Sequence, residues 1–360
     1  MNFQLTNNDR QYLGLNLVKE HWDLVQLTPE IWLYFDEHTI KKRLSLSENC
    51  YQEDDMNEIT SDNRALLLPK TKRGKAKKLN YSSLSKRNGI GVYFSFCSNI
   101  LTIANYTTQI TFFSTKVKGN VESLRLYLDT FIAETSNRDM QELKIFKAEK
   151  RKRVKYKEGD FFKFKIGRRT YGYGRILMNV TKYRKTDAFK QQKNYGLAQL
   201  MGVVLQVKIY HFITDNQITL QRLKKCKAIP SEYIMDNKFF YGEYEIIGHL
   251  PLEKEEMDFI ISYGRSISGG DRDTVYLQYG LEYKECSFSE FNEYLTDDFA
   301  YRNEGTGFGL AIDDETLKKC IEFDSNTPYW NDDYYRSHDL RHPENKAIKI
   351  EIFKYFDISE

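Results

Sequence analysis

The stretch Glu158–Val180, EGDFFKFKIGRRTYGYGRILMNV, decides the fold. Glu158-Gly159-Asp160 is a turn signal, and the residues after it alternate, with Phe162, Phe164 and Ile166 set against Lys163 and Lys165. A period of two sends successive side chains to opposite faces, so FFKFKI reads as a half-buried strand. Gly167-Arg168-Arg169 turns the chain and Thr170–Val180 returns as a second strand.

Toward the C-terminus, further strands are expected at Gly202–Ile213, Glu243–Leu250 and Thr274–Tyr279, and helices at Ser287–Leu295, Asp314–Glu322 and Pro343–Phe356. In the last, Ile348, Ile352, Phe353 and Phe356 recur at helical spacing, and proline suits a first helical turn. Toward the N-terminus, Lys144–Lys157 is basic and lacks an apolar face, which marks it as the boundary. Before it, Leu27–Asp36 reads as a strand after a Pro-bearing turn and Arg64–Pro69 as a short one stopped by proline, followed by a charged loop, KTKRGKAKKL. Gly91–Cys97, Ile100–Asn105 and Thr108–Ser114 read as an antiparallel meander. Val121–Thr135 places Leu124, Leu128, Phe131 and Ile132 on one helical face that should lie on that sheet. The expected class is α+β with two domains, each a mainly antiparallel β-sheet with packed helices: residues 1–143, a basic linker 144–157, and residues 158–360.

A chain of 360 residues suits two domains, and 41% hydrophobic residues suffice for packed cores. The N-terminus shows no basic segment followed by an apolar core, so no signal peptide is expected. The best apolar run, Leu200–Val207, is too short to span a bilayer. Cys50, Cys97, Cys226, Cys286 and Cys320 are odd in number and form no CxxC pair, which favours free thiols in a reducing cytoplasm.

The net charge of +3 hides segregation. Arg64–Arg87 holds nine basic residues and no acid, and Lys144–Lys193 holds 18 basic against 4 acidic. Pro230–Tyr335 reverses this, with 24 acidic and 8 basic residues. Such blocks either cancel within the fold or present charged faces that steer a partner.

No motif commits the chain to catalysis. Tyr171-Gly-Tyr-Gly-Arg175 carries GxG, yet the apolar run continues as strand where a phosphate loop needs a helix N-terminus. Its glycines fit a bulge or close aromatic packing. Gly305-Thr-Gly-Phe-Gly309 lacks the following Lys-Ser or Lys-Thr and reads as a tight turn. His338 and His342 have zinc spacing but no HExxH context. Glu53-Asp54-Asp55 with Lys70–Lys78 invites a nuclease reading, but no strand is expected to bring the carboxylates together. No enzyme, cofactor or metal is therefore expected.

The segments Lys155–Ile166 (KYKEGDFFKFKI) and Tyr171–Leu177 (YGYGRIL) resemble the opening strand pair of the immunity protein 26 family of bacterial polymorphic-toxin systems. Ile247-Gly-His-Leu-Pro251, Tyr263-Gly-Arg-Ser-Ile267 and Gln278-Tyr-Gly280 look similar to its later strands and turns. The resemblance covers about residues 154–356; the first 140 residues lie outside it, and the sequence between Val180 and Gly202 is longer than the family pattern. It implies an α+β protein that binds and blocks a cognate toxin, with no catalytic residues to carry over.

An inhibitor of that kind needs buried aromatic anchors and complementary charge. Pro328–Tyr335 (PYWNDDYY) offers both, so Tyr329, Trp330, Asp332, Asp333 and Tyr334 are the candidate partner-binding residues; the alternative is a core-packing loop. The expected partner is a cationic protein toxin in the bacterial cytoplasm, with no membrane. The rival reading is a nucleic-acid-binding module using the basic segments 64–87 and 144–193.

Overall fold

The decisive hairpin forms as β10 (Asp160–Ile166) and β11 (Thr170–Asn179), antiparallel with Phe162 opposite Gly174 and Phe164 opposite Gly172. This is a computed structural model, and it describes residues 3–215, 218–294 and 301–358. The chain divides into two units, residues 1–153 and 154–360. Both are α+β with antiparallel sheets.

The first unit opens with α1 (Asn7–Tyr12), followed by β1 (Asp23–Thr28), β2 (Ile31–Asp36), β3 (Thr39–Ser47) and β4 (Cys50–Ile59). A small hairpin, β5 (Leu66–Leu67) and β6 (Lys77–Lys78), and the one-turn helix α2 (Tyr81–Leu84) precede β7 (Ile90–Cys97), β8 (Ile100–Asn105) and β9 (Ile110–Lys116). Two helices, α3 (Leu124–Ala133) and α4 (Asn137–Ala148), close the unit. The seven longer strands form one sheet in the order β1-β2-β3-β4-β7-β8-β9, a meander interrupted between β4 and β7 by the small hairpin and α2. On one face Phe113 meets Phe131 of α3 and Phe112 meets Phe146 of α4, at ring distances of 5.9 and 4.9 Å. Toward the other end of the sheet, Leu33, Phe35 and Ile40 pack with Leu67 and Leu84, which anchors β5 and α2.

β3 and β4 escaped the sequence reading because buried ions interrupt their inward rows: Lys42 stands between Ile40 and Leu44, and Glu53 follows Tyr51. Glu53 is fully buried, with Arg10 Nε and Lys42 Nζ each 2.8 Å from its Oε1. Lys42 Nζ also lies 2.5 Å from Asp55, and Arg43 holds Asp54. The carboxylates thus do share a strand, contrary to expectation, but each is neutralised by a neighbouring cation. Burial pushes the Glu53 pKa upward, but Lys42 and Arg10 outweigh it and leave it below the ordinary value. For Asp55 burial wins and the pKa is raised.

The cysteines also depart from expectation. Cys50 and Cys97 are 47 residues apart, yet β4 and β7 place them opposite each other, and they are joined as a disulfide. Cys226, Cys286 and Cys320 are free. The cysteine count therefore gives no argument for a reducing compartment.

In the second unit, β11 is followed by three one-turn helices, α5 (Val180–Tyr183), α6 (Asp187–Lys190) and α7 (Tyr195–Ala198), within the long insertion. Then come β12 (Val204–Thr214), α8 (Leu220–Lys224), β13 (Glu232–Met235), α9 (Asn237–Phe240) and β14 (Glu245–His249). The first sheet has the order β13-β12-β11-β10-β14. β15 (Ile261–Arg265), β16 (Thr274–Tyr279) and β17 (Glu282–Ser287) make a second sheet. Among the described residues five α-helices follow: α10 (Phe288–Phe291), α11 (Asp314–Glu322), α12 (Thr327–Trp330), α13 (Asp333–His338) and α14 (Lys346–Tyr355). α10 is shorter than the helix expected at Ser287–Leu295, whose last residue lies outside the described residues.

The hairpin has two unlike faces. On one, the Phe162 and Phe164 rings lie over glycines: a Cβ on Gly174 would sit 2.3 Å from the Phe162 ring and 2.6 Å from the Lys208 carbonyl. Close aromatic packing is thus what the GxG requires. On the other face Arg175 is fully buried; it donates to the Leu250 and Pro251 carbonyls at 2.8 and 2.9 Å, pairs with Glu256, and lies 4.3 Å from the Phe161 ring. The last segment of the edge differs too. Gly307 bridges to β13 through Met235 N and Tyr233 O and Phe308–Gly309 bend directly after it, so the glycine-rich segment adds to the sheet edge before it bends.

Gly174→Ala is expected to cost about 1–3 kcal/mol, by overpacking a site with backbone on one side, read as a lower midpoint in denaturant. Lys42→Met leaves Glu53 and Asp55 without their shared cation and is expected to destabilise the first unit by about 3–5 kcal/mol, visible in the same titration.

Candidate partner-binding surface

The acidic C-terminal region folds around an aromatic cluster. Pro328 enters the first turn of α12, and Tyr329 and Trp330 follow on it. Tyr329 stacks on Tyr335 at 4.3 Å, and Trp330 meets Tyr335 and His342 edge-on at 5.7 and 5.5 Å. Tyr329 is buried in the core beneath α11, with Leu317 and Cys320. Burial drives its phenol far above the usual tyrosine pKa. Trp330 is half-buried against the same core. These two aromatics hold the segment in place; they are not exposed anchors.

The acidic part of the segment faces outward. Asp332 is exposed and caps α13, accepting from Tyr334 N at 2.9 Å. The Asp333 side chain is 92% exposed, with Arg336 as far as 3.8 Å away. Tyr334 is 52% exposed and stacks flat on His338 at 4.3 Å. Nearby in sequence, Phe323 is 63% exposed at the end of α11. The candidate residues therefore separate into an inner pair, Tyr329 and Trp330, and an outer trio, Asp332, Asp333 and Tyr334.

Arg341 fastens this region to the rest of the unit. Its guanidinium pairs with Asp339 at 2.8 Å and Asp258 at 3.1 Å, and donates to the Ser231 carbonyl at 3.0 Å. Burial works against its charge, but Asp339 and Asp258 outweigh burial and raise the pKa. The sequence held no periodic signal for Arg341 or Asp258, because they meet only through the tertiary fold.

His338 and His342 do not converge. His338 Nδ1 lies 3.0 Å from the Tyr334 carbonyl, while His342 caps the following turn and contacts the Trp330 carbonyl at 3.1 Å. Among the described residues no group of three His, Cys, Asp or Glu is placed to hold a metal ion. Within the basic block 144–193, Lys163 pairs with Glu245, Arg175 with Glu256, and Lys193 with Asp271.

Glu232, on β13, receives the Ala311 N–H at 2.9 Å. Burial lifts its pKa from 4.5 to about 7, with the Ala311 N–H and Arg341 opposing. A carboxyl that keeps its proton in the fold contributes full stability below its unfolded pKa and loses it as pH rises through the folded one. Glu232→Gln is therefore expected to be near neutral at pH 5 and stabilising by about 1–2 kcal/mol at pH 8. Urea titrations at the two pH values check this; equal differences at both would contradict it.

No curated protein and no solved structure matches the chain. The family model of immunity protein 26 matches residues 157–273. That span holds the hairpin, the rest of the five-stranded sheet and β15, but neither Gln278–Gly280 nor α11–α13. Over residues 157–273 the second unit is similar to the family that its Gly-Asp turn and aromatic hairpin indicated, immunity protein 26.

Proposed function

We propose that this protein is an immunity protein that binds a cognate bacterial toxin and blocks it by surface complementarity, without catalysis. The observation that carries this reading is the match of residues 157–273 to immunity protein 26. The exposed acids Asp332 and Asp333, with Tyr334 beside them, support a cationic partner, because exposed carboxylates on a rigid base raise the association rate of an oppositely charged protein. The base is rigid because Tyr329, Trp330 and Arg341 fix it from below. In this reading the protein acts in the cytoplasm of the cell that makes the toxin. No helix among the described residues is long and apolar enough to cross a membrane.

The test uses the full chain and the product of the neighbouring open reading frame. Asp332→Asn with Asp333→Lys removes the local negative charge while asparagine preserves the cap of α13. Association with that toxin is expected to slow by about tenfold at low salt, with a shallower salt dependence. Unchanged affinity and unchanged salt dependence would remove this surface from the interface. Failure of the unaltered chain to bind or inhibit the toxin would refute the function itself.

A further inference from the structure

The first unit carries a cationic feature that its own fold leaves uncompensated. Of the basic residues between Arg64 and Arg87, three are tied down: Arg64 pairs with Asp23, and Lys70 and Arg87 pair with Glu58. Lys72, Arg73, Lys75, Lys77, Lys78 and Lys86 are exposed, and no ion pair is formed by any of them among the described residues. The first five lie on the tip and returning strand of the β5–β6 hairpin, where Leu66 pairs with Lys78 and Leu67 with Lys77. The base of this hairpin is fixed: Leu67 is fully buried and Leu84 nearly so, both packed against Leu33, Phe35 and Ile40. Beside the cations, Tyr81 opens α2 and is 60% exposed.

We propose that the β5–β6 hairpin and Tyr81 form a binding surface for single-stranded nucleic acid. Five cations within seven residues of chain, with no acid among them, create a local positive potential that a phosphate backbone relieves by releasing its counterions. An exposed tyrosine next to such a row offers a face on which an unpaired base stacks, and duplex bases have no free face to give it. Cations elsewhere do find partners, Lys163 with Glu245, Arg175 with Glu256 and Lys193 with Asp271, whereas these five hairpin cations form no ion pair among the described residues. The inference concerns the first unit and stands apart from toxin binding.

The test measures binding of the full chain to a labelled single-stranded DNA of about 20 nucleotides, longer than a typical single-strand site, between about 50 and about 200 mM salt. A duplex of the same length and a polyglutamate of similar charge serve as the other probes. The single strand is expected to bind tightest, with a log–log salt slope of about −2 to −4. Lys75→Ser, Lys77→Ser and Lys78→Ser together are expected to flatten that slope by about 2. Tyr81→Ala is expected to weaken the single strand about tenfold, as loss of one stacked base requires, and to leave the duplex unaffected. These side chains are exposed, so an unchanged thermal midpoint shows that the variants fold. The proposal is overturned if the triple variant binds as the parent does, if Tyr81→Ala affects neither probe, or if duplex or polyglutamate binds as tightly as the single strand.

Discussion

A phenyl ring pressed onto a glycine backbone on one side, and a buried guanidinium on the other, make the β10–β11 hairpin the organising constraint of the second unit. Phe162 and Phe164 occupy the space where side chains at 174 and 172 would stand. Each fully buried phenylalanine contributes about 1.5–3 kcal/mol, so this face drives the sheet toward its core. The opposite face confines the rest of the chain. A guanidinium removed from water is costly without partners, and the two terminal nitrogens of Arg175 draw the Leu250 and Pro251 carbonyls and the Glu256 carboxylate onto the sheet. The segment after β14 is held where it is by that need, and Lys208 reinforces it through the Glu256 carbonyl at 3.0 Å.

The two strongly charged blocks of the C-terminal unit are consequently less opposed than their totals suggest. Part of the positive charge around the hairpin is matched by the acidic segment that follows: Lys163 with Glu245, Arg175 with Glu256, and Lys193 with Asp271. What is left over is a set of acids on short helices, with Asp332 and Asp333 exposed above the aromatic base. Some residues of the acidic block are thus paired within the fold, while others stay exposed.

The first unit solves a different problem. Its sheet buries Arg10, Lys42, Glu53 and Asp55 together. Desolvating such ions is expensive, and their attraction offsets the cost only when the geometry matches. A slip of one residue between β3 and β4 would move Lys42 and Glu53 to the opposite face and leave partners unpaired, so the network specifies register.

Residues that repeat with a period of two or 3.6 were legible in the sequence. The alternation in Phe161–Ile166 became β10, the β-branched and aromatic runs became β7, β8 and β9, and the spacing of Leu124, Leu128 and Phe131 became α3. The Gly-Asp turn and GYGR run also pointed to the family. β3 and β4 were hidden because Lys42 and Glu53 break their inward apolar rows, and hydrophobic periodicity does not register a buried ion. The disulfide, the edge-covering segment at Gly307 and the inward turn of Tyr329 share one cause. Each depends on which distant segment lies opposite, and hydropathy along a chain carries no record of that. Local periodicity determined the elements, while burial of paired charge and the register between remote strands decided which side chains were left facing outward.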